Sequence, residues 1–200
     1  PTSFTITTVD PVPIVNDPAN QLLCEGDLTT DVIFTGPNPT TSFIWTNDNT
    51  SIGLLASGNG DILSFPADNT SLVDQDATIT VTPEFNGCLG IPQTFVITVK
   101  PKPNVFATPI TQEYCSGQDS DEIFFTGDLA GTQFDWLNDN VSVGLVGSGI
   151  GDIPSFTVVN SSNTPQTATI NVEPSFNGCV GDVVTATIIV NPISTVVVSG

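Results

Sequence analysis

Apolar and polar residues alternate along several short stretches of the chain. Ala77, Ile79 and Val81 alternate with threonines, and residues 95–99 repeat the pattern. A period of two places one side of a strand against a core and the other side in water. Residues 43–45 form a more continuous apolar run, and Gly, Asn, Pro and Asp cluster between such stretches. No stretch shows a helical period, so the pattern predicts an all-β fold.

The whole pattern occurs twice, with a spacing of 91 residues. An ungapped match over that length predicts one small domain that is used twice. The shift superimposes the cysteines and tryptophans, with Cys24 on Cys115, Trp45 on Trp136 and Cys88 on Cys179.

The repeat fixes the predicted domain boundaries. We place two repeats at residues 11–101 and 102–192, joined by the segment 99–103, whose prolines favour an extended and fairly stiff linker. Residues 1–10 are predicted to end a preceding repeat, and residues 193–200 to open a following one. Several short strands and turns in each repeat predict tandem antiparallel β-sandwich domains of the immunoglobulin-like kind.

Each repeat contains two cysteines. Small extracellular domains often compensate for limited burial with disulfides, so an even and symmetric distribution predicts one bond per repeat. The predicted pairs are Cys24 with Cys88 and Cys115 with Cys179, each worth roughly 4 kcal/mol in the chain-entropy model. A zinc site is disfavoured because the chain has neither histidine nor a CxxC pair.

The charge of the chain excludes several classes of partner. Two lysines stand against 21 Asp and Glu, giving a formal net charge of −19. Such a chain repels nucleic acid, whose phosphates are bound by Lys and Arg, and it repels an anionic membrane. No apolar run is long enough for membrane insertion. The same charge attracts divalent cations, and calcium suits it best.

Four acidic residues recur in equivalent loops and are the candidate metal ligands. Beside asparagines, they offer oxygen ligands for calcium from two loops of each repeat. The alternative is that these Asn and Asp side chains bond the local backbone in turns. A catalytic carboxylate pair is disfavoured, since identical active sites in every repeat are uncommon and no histidine supplies a base, so we predict no enzyme. The four candidates are Asp48, Asp61, Asp139 and Asp152.

Trp45 and Trp136 lie mid-strand, each two residues after a Phe. A buried core tryptophan is common in β-sandwiches, so both are predicted to lie inside. The alternative is a stacking platform for a sugar, which would make each unit a carbohydrate-binding module. Surface polysaccharide would then be the partner, and many weak sites would act together.

Short motifs recur in both repeats, in the first at 24–26, 45–49, 57–62, 86–88 and 99–101. These motifs resemble those of PKD-like repeats in very long bacterial surface proteins. They are similar to the repeats of gliding-motility adhesins, which are exported by the type IX secretion system. The resemblance implies secreted spacer repeats of an adhesin at the bacterial cell surface, whose partners are neighbouring repeats of the same chain.

Overall fold

The computed structural model describes residues 12–193 and confirms the all-β prediction. These residues contain strands and two one-turn 3-10 helices, and no α-helix. The chain forms two compact units, with the break between Pro101 and Lys102. The predictions for residues 1–10 and 193–200 lie outside the described residues, apart from Ile193.

The first unit contains a sheet of six strands. The strands are β1 Gln21–Cys24, β2 Ser42–Asn47, β3 Ser57–Asn59, β4 Gln75–Phe85, β5 Cys88–Leu89 and β6 Gln93–Lys100. Their order in the sheet is β1-β6-β4-β2-β3, and β5 pairs with the end of β4. A one-turn 3-10 helix, Thr50–Ile52, connects β2 and β3.

The second unit repeats this sheet. Its strands are β7 Phe106–Thr108, β8 Thr111–Cys115, β9 Phe124–Thr126, β10 Gln133–Asn138, β11 Ser148–Ile150, β12 Gln166–Phe176, β13 Cys179–Val180 and β14 Val184–Asn191. The order of the main sheet is β11-β10-β12-β14-β8, with β13 on the end of β12. A further pair, β7 with β9, belongs to the opposite layer, and a 3-10 helix covers Val141–Val143.

A second, less regular layer closes each sandwich. In the first unit it is held by isolated bridges such as Val32 with Ile62, and both side chains are buried. They belong to one apolar cluster with Ile79 and Ile97 of the main sheet. Fully burying one such side chain contributes roughly 2 kcal/mol, so the core between the layers is the main source of stability.

The long central strands follow the predicted alternation. In β4, Ala77, Ile79 and Val81 are fully buried while the threonines between them are partly exposed. In β12, Ala168 and Ile170 are buried in the same way. The period of two therefore identified the core-facing side of these strands correctly.

One edge of each main sheet differs from a purely antiparallel arrangement. β1 runs parallel to β6, with Leu22 opposite Thr98, and β8 runs parallel to β14. Parallel neighbours need a long crossover connection, and here the rest of the sandwich lies between the two strands in sequence. Alternation within a strand carries no information on the direction of its neighbour.

Candidate functional site

The candidate calcium ligands each accept a hydrogen bond from a backbone amide. The Asp61 carboxylate accepts from the Phe34 N–H at 2.9 Å, and the Asp48 carboxylate accepts from the Thr78 N–H at 2.7 Å. The second repeat has equivalent bonds from Phe125 to Asp152 at 2.7 Å and from Thr169 to Asp139 at 2.6 Å. These bonds join segments about 30 residues apart, so they hold the sandwich together rather than forming local turns.

Asp48 and Asp61 do not meet in one site. β2 and β3 form an antiparallel hairpin, in which Thr46 lies opposite Ser57 and Ile44 opposite Asn59. Asp48 therefore lies near the connection and Asp61 at the open end, roughly 20 Å away at about 3.3 Å per residue. No group of three or more potential ligands forms among residues 12–193. Calcium binding at the individual loops stays a prediction.

Replacing Asp152 distinguishes a carboxylate that bonds the backbone from one that binds calcium. Asp152→Asn keeps an oxygen that can accept from Phe125 and is expected to lower the free energy of unfolding by less than about 1 kcal/mol. Asp152→Ala leaves the amide without a partner and is expected to cost about 2 kcal/mol. Both are measured by denaturant unfolding in calcium and in EDTA. A calcium-dependent gain in stability that Asp152→Asn removes would instead establish an ion site.

Asn47 holds the loop that follows β2. Its side chain is buried, and its Nδ2 donates to the carbonyls of Leu54 at 3.0 Å and Leu55 at 3.3 Å. Its Oδ1 accepts from the Asn49 N–H at 3.0 Å. Asn138 makes the same bonds in the second repeat. The Asn-Asp-Asn motif is therefore explained by loop structure.

A short Asn-x-Ser motif that sequence reasoning left without a role occurs twice in each repeat. In every copy the Asn Oδ1 accepts hydrogen bonds from both the N–H and the Oγ of the Ser two residues later. Two copies begin the 3-10 helices, and the other two precede β4 and β12. The recurrence of the triplet at equal spacing could have identified it as a turn motif. The four asparagines are Asn49, Asn69, Asn140 and Asn160.

Both tryptophans are core residues, as predicted. Trp45 and Trp136 are about 5% exposed, and each ring lies against a glycine of the neighbouring strand, Gly58 or Gly149. The Trp136 Nε1 donates to the Gly151 carbonyl at 2.9 Å. The rings therefore cannot form the exposed stacking platform that a sugar requires.

A shallow pocket lies on the outer face of the sheet in the second unit. It has a volume of about 570 Å³ and is lined by exposed apolar side chains including Leu137, Ile150 and Val183, with Asp135 and Glu173 beside them. At the equivalent positions the first unit has Thr46, Asn59 and Pro92 for the three apolar residues. The pocket is thus a property of one repeat and not of the repeated module.

Tyr114 forms a polar contact at the edge of the second unit. Its hydroxyl donates to Gln112 Oε1 and accepts from the Asp121 N–H, both at 2.7 Å. Burial is the main reason why the pKa of this phenol is raised above its usual value. The side chain therefore stays neutral and serves to fix the loop.

The predicted disulfide pairs within each repeat are wrong. Cys24 lies opposite Lys100, where the last strand of the sheet finishes; we call this the exit end of a unit. Cys88 lies opposite Phe85, beyond the far end of β4, at what we call the hairpin end. β4 is 11 residues long, so the two cysteines lie roughly 30 Å apart, whereas a disulfide needs Cα atoms within about 7 Å.

The second unit has the same arrangement. Cys115 lies opposite Asn191 at its exit end, and Cys179 lies opposite Phe176 at its hairpin end. Cys24 and Cys179 are disulfide-bonded, while Cys88 and Cys115 are free and exposed, so neither predicted pair is formed. The even number of cysteines predicted disulfides, but it did not indicate at which end of each strand a cysteine lies.

The described residues contain no helix that is long and apolar enough to cross a membrane.

Comparison with known structures gives distant similarities to tandem immunoglobulin domains. The I67–I69 fragment of titin is 11% identical, with a TM-score of 0.45, and the match covers 92% of this chain and 66% of that one. Extracellular domains 3–5 of Drosophila OTK are 13% identical, with a TM-score of 0.43, covering 91% and 62%. The chain thus spans just under two thirds of the length of these structures. Comparison with curated proteins gives no significant match.

A family model gives a direct match in sequence. The model is described as a PKD-like domain, and it matches residues 20–103, which include all six strands of the first unit. The second unit has the same sheet order and the same cysteine and tryptophan positions. The first repeat of this chain therefore matches the PKD-like domain family, as the motifs of the sequence indicated.

Proposed function

We propose that this chain is a pair of structural spacer repeats from an adhesin. One observation carries the proposal: the polar and aromatic residues that recur in both repeats are used to hold the fold. The recurring Asp side chains bind backbone amides, the recurring Asn side chains close loops, and the recurring Trp side chains lie in the core. The residues that the two repeats share thus serve to build a stable module, which suits a spacer that provides length between other parts of a protein.

The cellular setting of the proposal comes from the PKD-like resemblance. We infer an extracellular location on a bacterial surface, export by the type IX system, and a role in surface adhesion and gliding without catalysis. A disulfide supports an oxidising compartment outside the cytoplasm. The net charge of −19 supports a spacer that stays soluble and avoids non-specific association with anionic surfaces.

The test replaces the repeats in the parent protein of the bacterium that encodes them. In one strain, residues 12–193 are exchanged for an unrelated pair of β-sandwich domains of the same length, and in another they are deleted. A spacer predicts that the exchanged strain adheres and glides like the wild type in a flow cell. Loss of adhesion in the exchanged strain, with the protein present at the surface, would show that these repeats bind something themselves.

The alternative function is binding of surface polysaccharide. It is favoured only by the pocket of the second unit, since Trp45 and Trp136 are buried. In a glycan array of acidic and neutral bacterial polysaccharides, we expect the chain to give no signal above background. The matched control carries the first-repeat residues in the pocket, Leu137→Thr and Ile150→Asn. A signal that these two changes remove, while the unfolding midpoint is unchanged, would support the binding function.

A further inference from the structure

We propose that strand β11 of the second unit binds an extended peptide of a basic partner protein, with an arginine or lysine of that peptide lying over the pocket beside Asp135 and Glu173. The bound peptide forms a further strand of the main sheet. The inference goes beyond the spacer function, because it gives one repeat a binding partner of its own. It depends only on residues of the second unit.

The free edge of β11 has backbone groups that can receive another strand. β11 is the last strand of the main sheet and pairs only with β10. The Gly151 N–H donates to the Phe134 carbonyl at 2.8 Å, and an antiparallel ladder bonds every second residue. The N–H and C=O groups of Ser148 and Ile150 therefore point away from β10, and no bond within residues 12–193 engages them. An extended peptide adds as a strand to such an edge.

The pocket next to this edge has an apolar surface that a long side chain can cover. Leu137, Ile150 and Val183 are large and apolar, yet they are between 52% and 68% exposed. They line a volume of about 570 Å³ on the outer face of the sheet. The methylene groups of Lys and Arg bury readily against such a surface while the charged end stays in a polar environment. The apolar part of the pocket thus suits the stem of a basic side chain.

Two carboxylates beside the apolar residues have no paired cation. Asp135 and Glu173 lie directly opposite each other on β10 and β12. Like charges in that position destabilise a sheet, and the neutral Gln133 side chain that donates to Asp135 does not remove the repulsion. In the described part of the chain the one ion pair joins Lys102 to Asp182. A cation supplied by a partner relieves the repulsion between the two carboxylates.

The spacing of the strands brings the free edge and the carboxylates within reach of one side chain. Ile150 lies opposite Asp135, so a residue of the added strand beside Ile150 lies roughly 10 Å from the Asp135 backbone, two strand spacings away. An Arg or Lys side chain and a carboxylate span that distance between them. The stem of the basic residue then lies across Ile150, and its charged end meets Asp135 and Glu173. Arginine suits two carboxylates best, because its guanidinium has five donors in one plane.

The first unit has the same open edge without these side chains. Its strand β3 pairs with β2 in the register that β11 keeps with β10. The positions equivalent to the two carboxylates, Leu137 and Ile150 carry no charge. They are Ile44, Thr82, Thr46 and Asn59. The fold therefore does not require the carboxylates or the apolar residues of the pocket, and the first unit serves as an internal control.

Other occupants fit the pocket less well than a basic peptide. The one aromatic ring in its lining, Trp136, is buried, so a sugar has no exposed ring on which to stack. A bound metal ion is disfavoured because no cluster of three potential ligands exists in the described part of the chain. A second copy of this chain, with a net charge of −19, is repelled. A basic peptide matches both the open edge and the unpaired carboxylates.

The test titrates the full chain, labelled with nitrogen-15, with the capped synthetic peptide Thr-Val-Arg-Val-Arg-Val-Thr at low ionic strength. In an extended peptide the arginines lie on one face and the valines on the other. Calorimetry measures the affinity, and NMR identifies the amides whose signals shift. Two control peptides remove one feature each. One has glutamine in place of both arginines, and the other is N-methylated at its four central residues and cannot donate to the edge.

We expect one peptide to bind per chain, with shifts at the amides of Ser148 and Ile150 and no shifts at Ser57 and Asn59, their equivalents in the first unit. Each control peptide should bind at least about ten-fold more weakly, because it loses either the charge-assisted bonds or the strand bonds. A shift of the first-unit amides equal to that of the second, or equal affinity for the control peptides, would overturn the proposal.

The matched protein variant is Asp135→Asn combined with Glu173→Gln. It should lose about ten-fold in affinity for the arginine peptide, while its unfolding midpoint is no lower than that of the parent chain, because a like-charge contact is removed. Undiminished affinity in this variant, or no binding by the parent chain at about 1 mM peptide, would contradict the proposal. A glycan array signal that Leu137→Thr and Ile150→Asn remove, without peptide binding, would assign the pocket to a polysaccharide instead.

Discussion

Replacing Asn160 by alanine is expected to lower the free energy of unfolding of the second unit by about 3 kcal/mol. The side chain is 8% exposed, and its Nδ2 donates to the carbonyls of Thr164 at 2.9 Å and Val190 at 2.7 Å. Its Oδ1 accepts from Ser162. Val190 is fully buried, so its carbonyl is not expected to find water as a substitute partner. A buried polar group left without a partner costs about 1–3 kcal/mol, and several are affected here.

Asn140→Ala is the matched control for this substitution. Asn140 makes the same two bonds to a Ser two residues later, but it is only partly buried, and the one carbonyl to which its Nδ2 donates, that of Thr167 at 3.0 Å, is at an exposed position where water can replace the bond. The expected cost is about 1 kcal/mol, as for other caps. Both variants are measured by chemical denaturation, with the unaltered first unit as the internal reference. Equal losses of unfolding free energy in the two variants would show that the bonds to the Thr164 and Val190 carbonyls do not add to the stability.

Gly149→Ala is expected to destabilise the second unit by about 3 kcal/mol. A Cβ on Gly149 would lie 2.2 Å from Cζ2 and 2.7 Å from Cε2 of Trp136. Both distances are shorter than any van der Waals contact, so the indole ring or β11 must move, and the packing of the core must change. Overpacking of a core commonly costs 1–3 kcal/mol, and a rigid aromatic ring places this case at the upper end. A red shift of Trp136 fluorescence should accompany the loss of stability.

Gly147→Ala, two residues earlier, is the control. The nearest atom to a Cβ there is Val141 Cγ1 at 3.5 Å, which is an ordinary contact. The substitution is expected to leave the stability unchanged or to raise it by up to about 1 kcal/mol, because alanine restricts the unfolded chain. If Gly149→Ala is as harmless as Gly147→Ala, the ring does not depend on a close approach of the glycine backbone.

The parts of the fold that sequence predicted well are those that depend on local pattern. Alternation identified the buried residues of β4, and a Trp in mid-strand beside a Phe identified the core indoles. The ungapped shift of 91 residues does not extend to the start of each repeat, because Pro13 and Pro103 are 90 residues apart. The second repeat has one more residue between Val105 and Cys115 than the first repeat has between Val15 and Cys24.

The parts that could not be predicted depend on which segments meet in space. The cysteine pairs were wrong because sequence separation does not reveal that Cys24 and Cys88 occupy opposite ends of the sandwich. Asp61 was grouped with Asp48 as a ligand set because both recur in loops of each repeat, yet each accepts a hydrogen bond from an amide on a different segment. An Asp that accepts a hydrogen bond from a distant backbone amide cannot be distinguished in a sequence from an Asp that binds a cation.

The parallel pairing of the first and last strands of the main sheet determines how a unit responds to pulling. A force on the two chain ends draws β1 and β6 along their length in opposite directions, so their pairs from Gln21 with Ile97 to Cys24 with Lys100 are sheared together. Strands loaded in this way must break several hydrogen bonds at once, whereas a hairpin pulled at its open end breaks them one after another. A unit pulled at its two chain ends would therefore resist as a clamp, because the hydrogen bonds of this strand pair carry the force together.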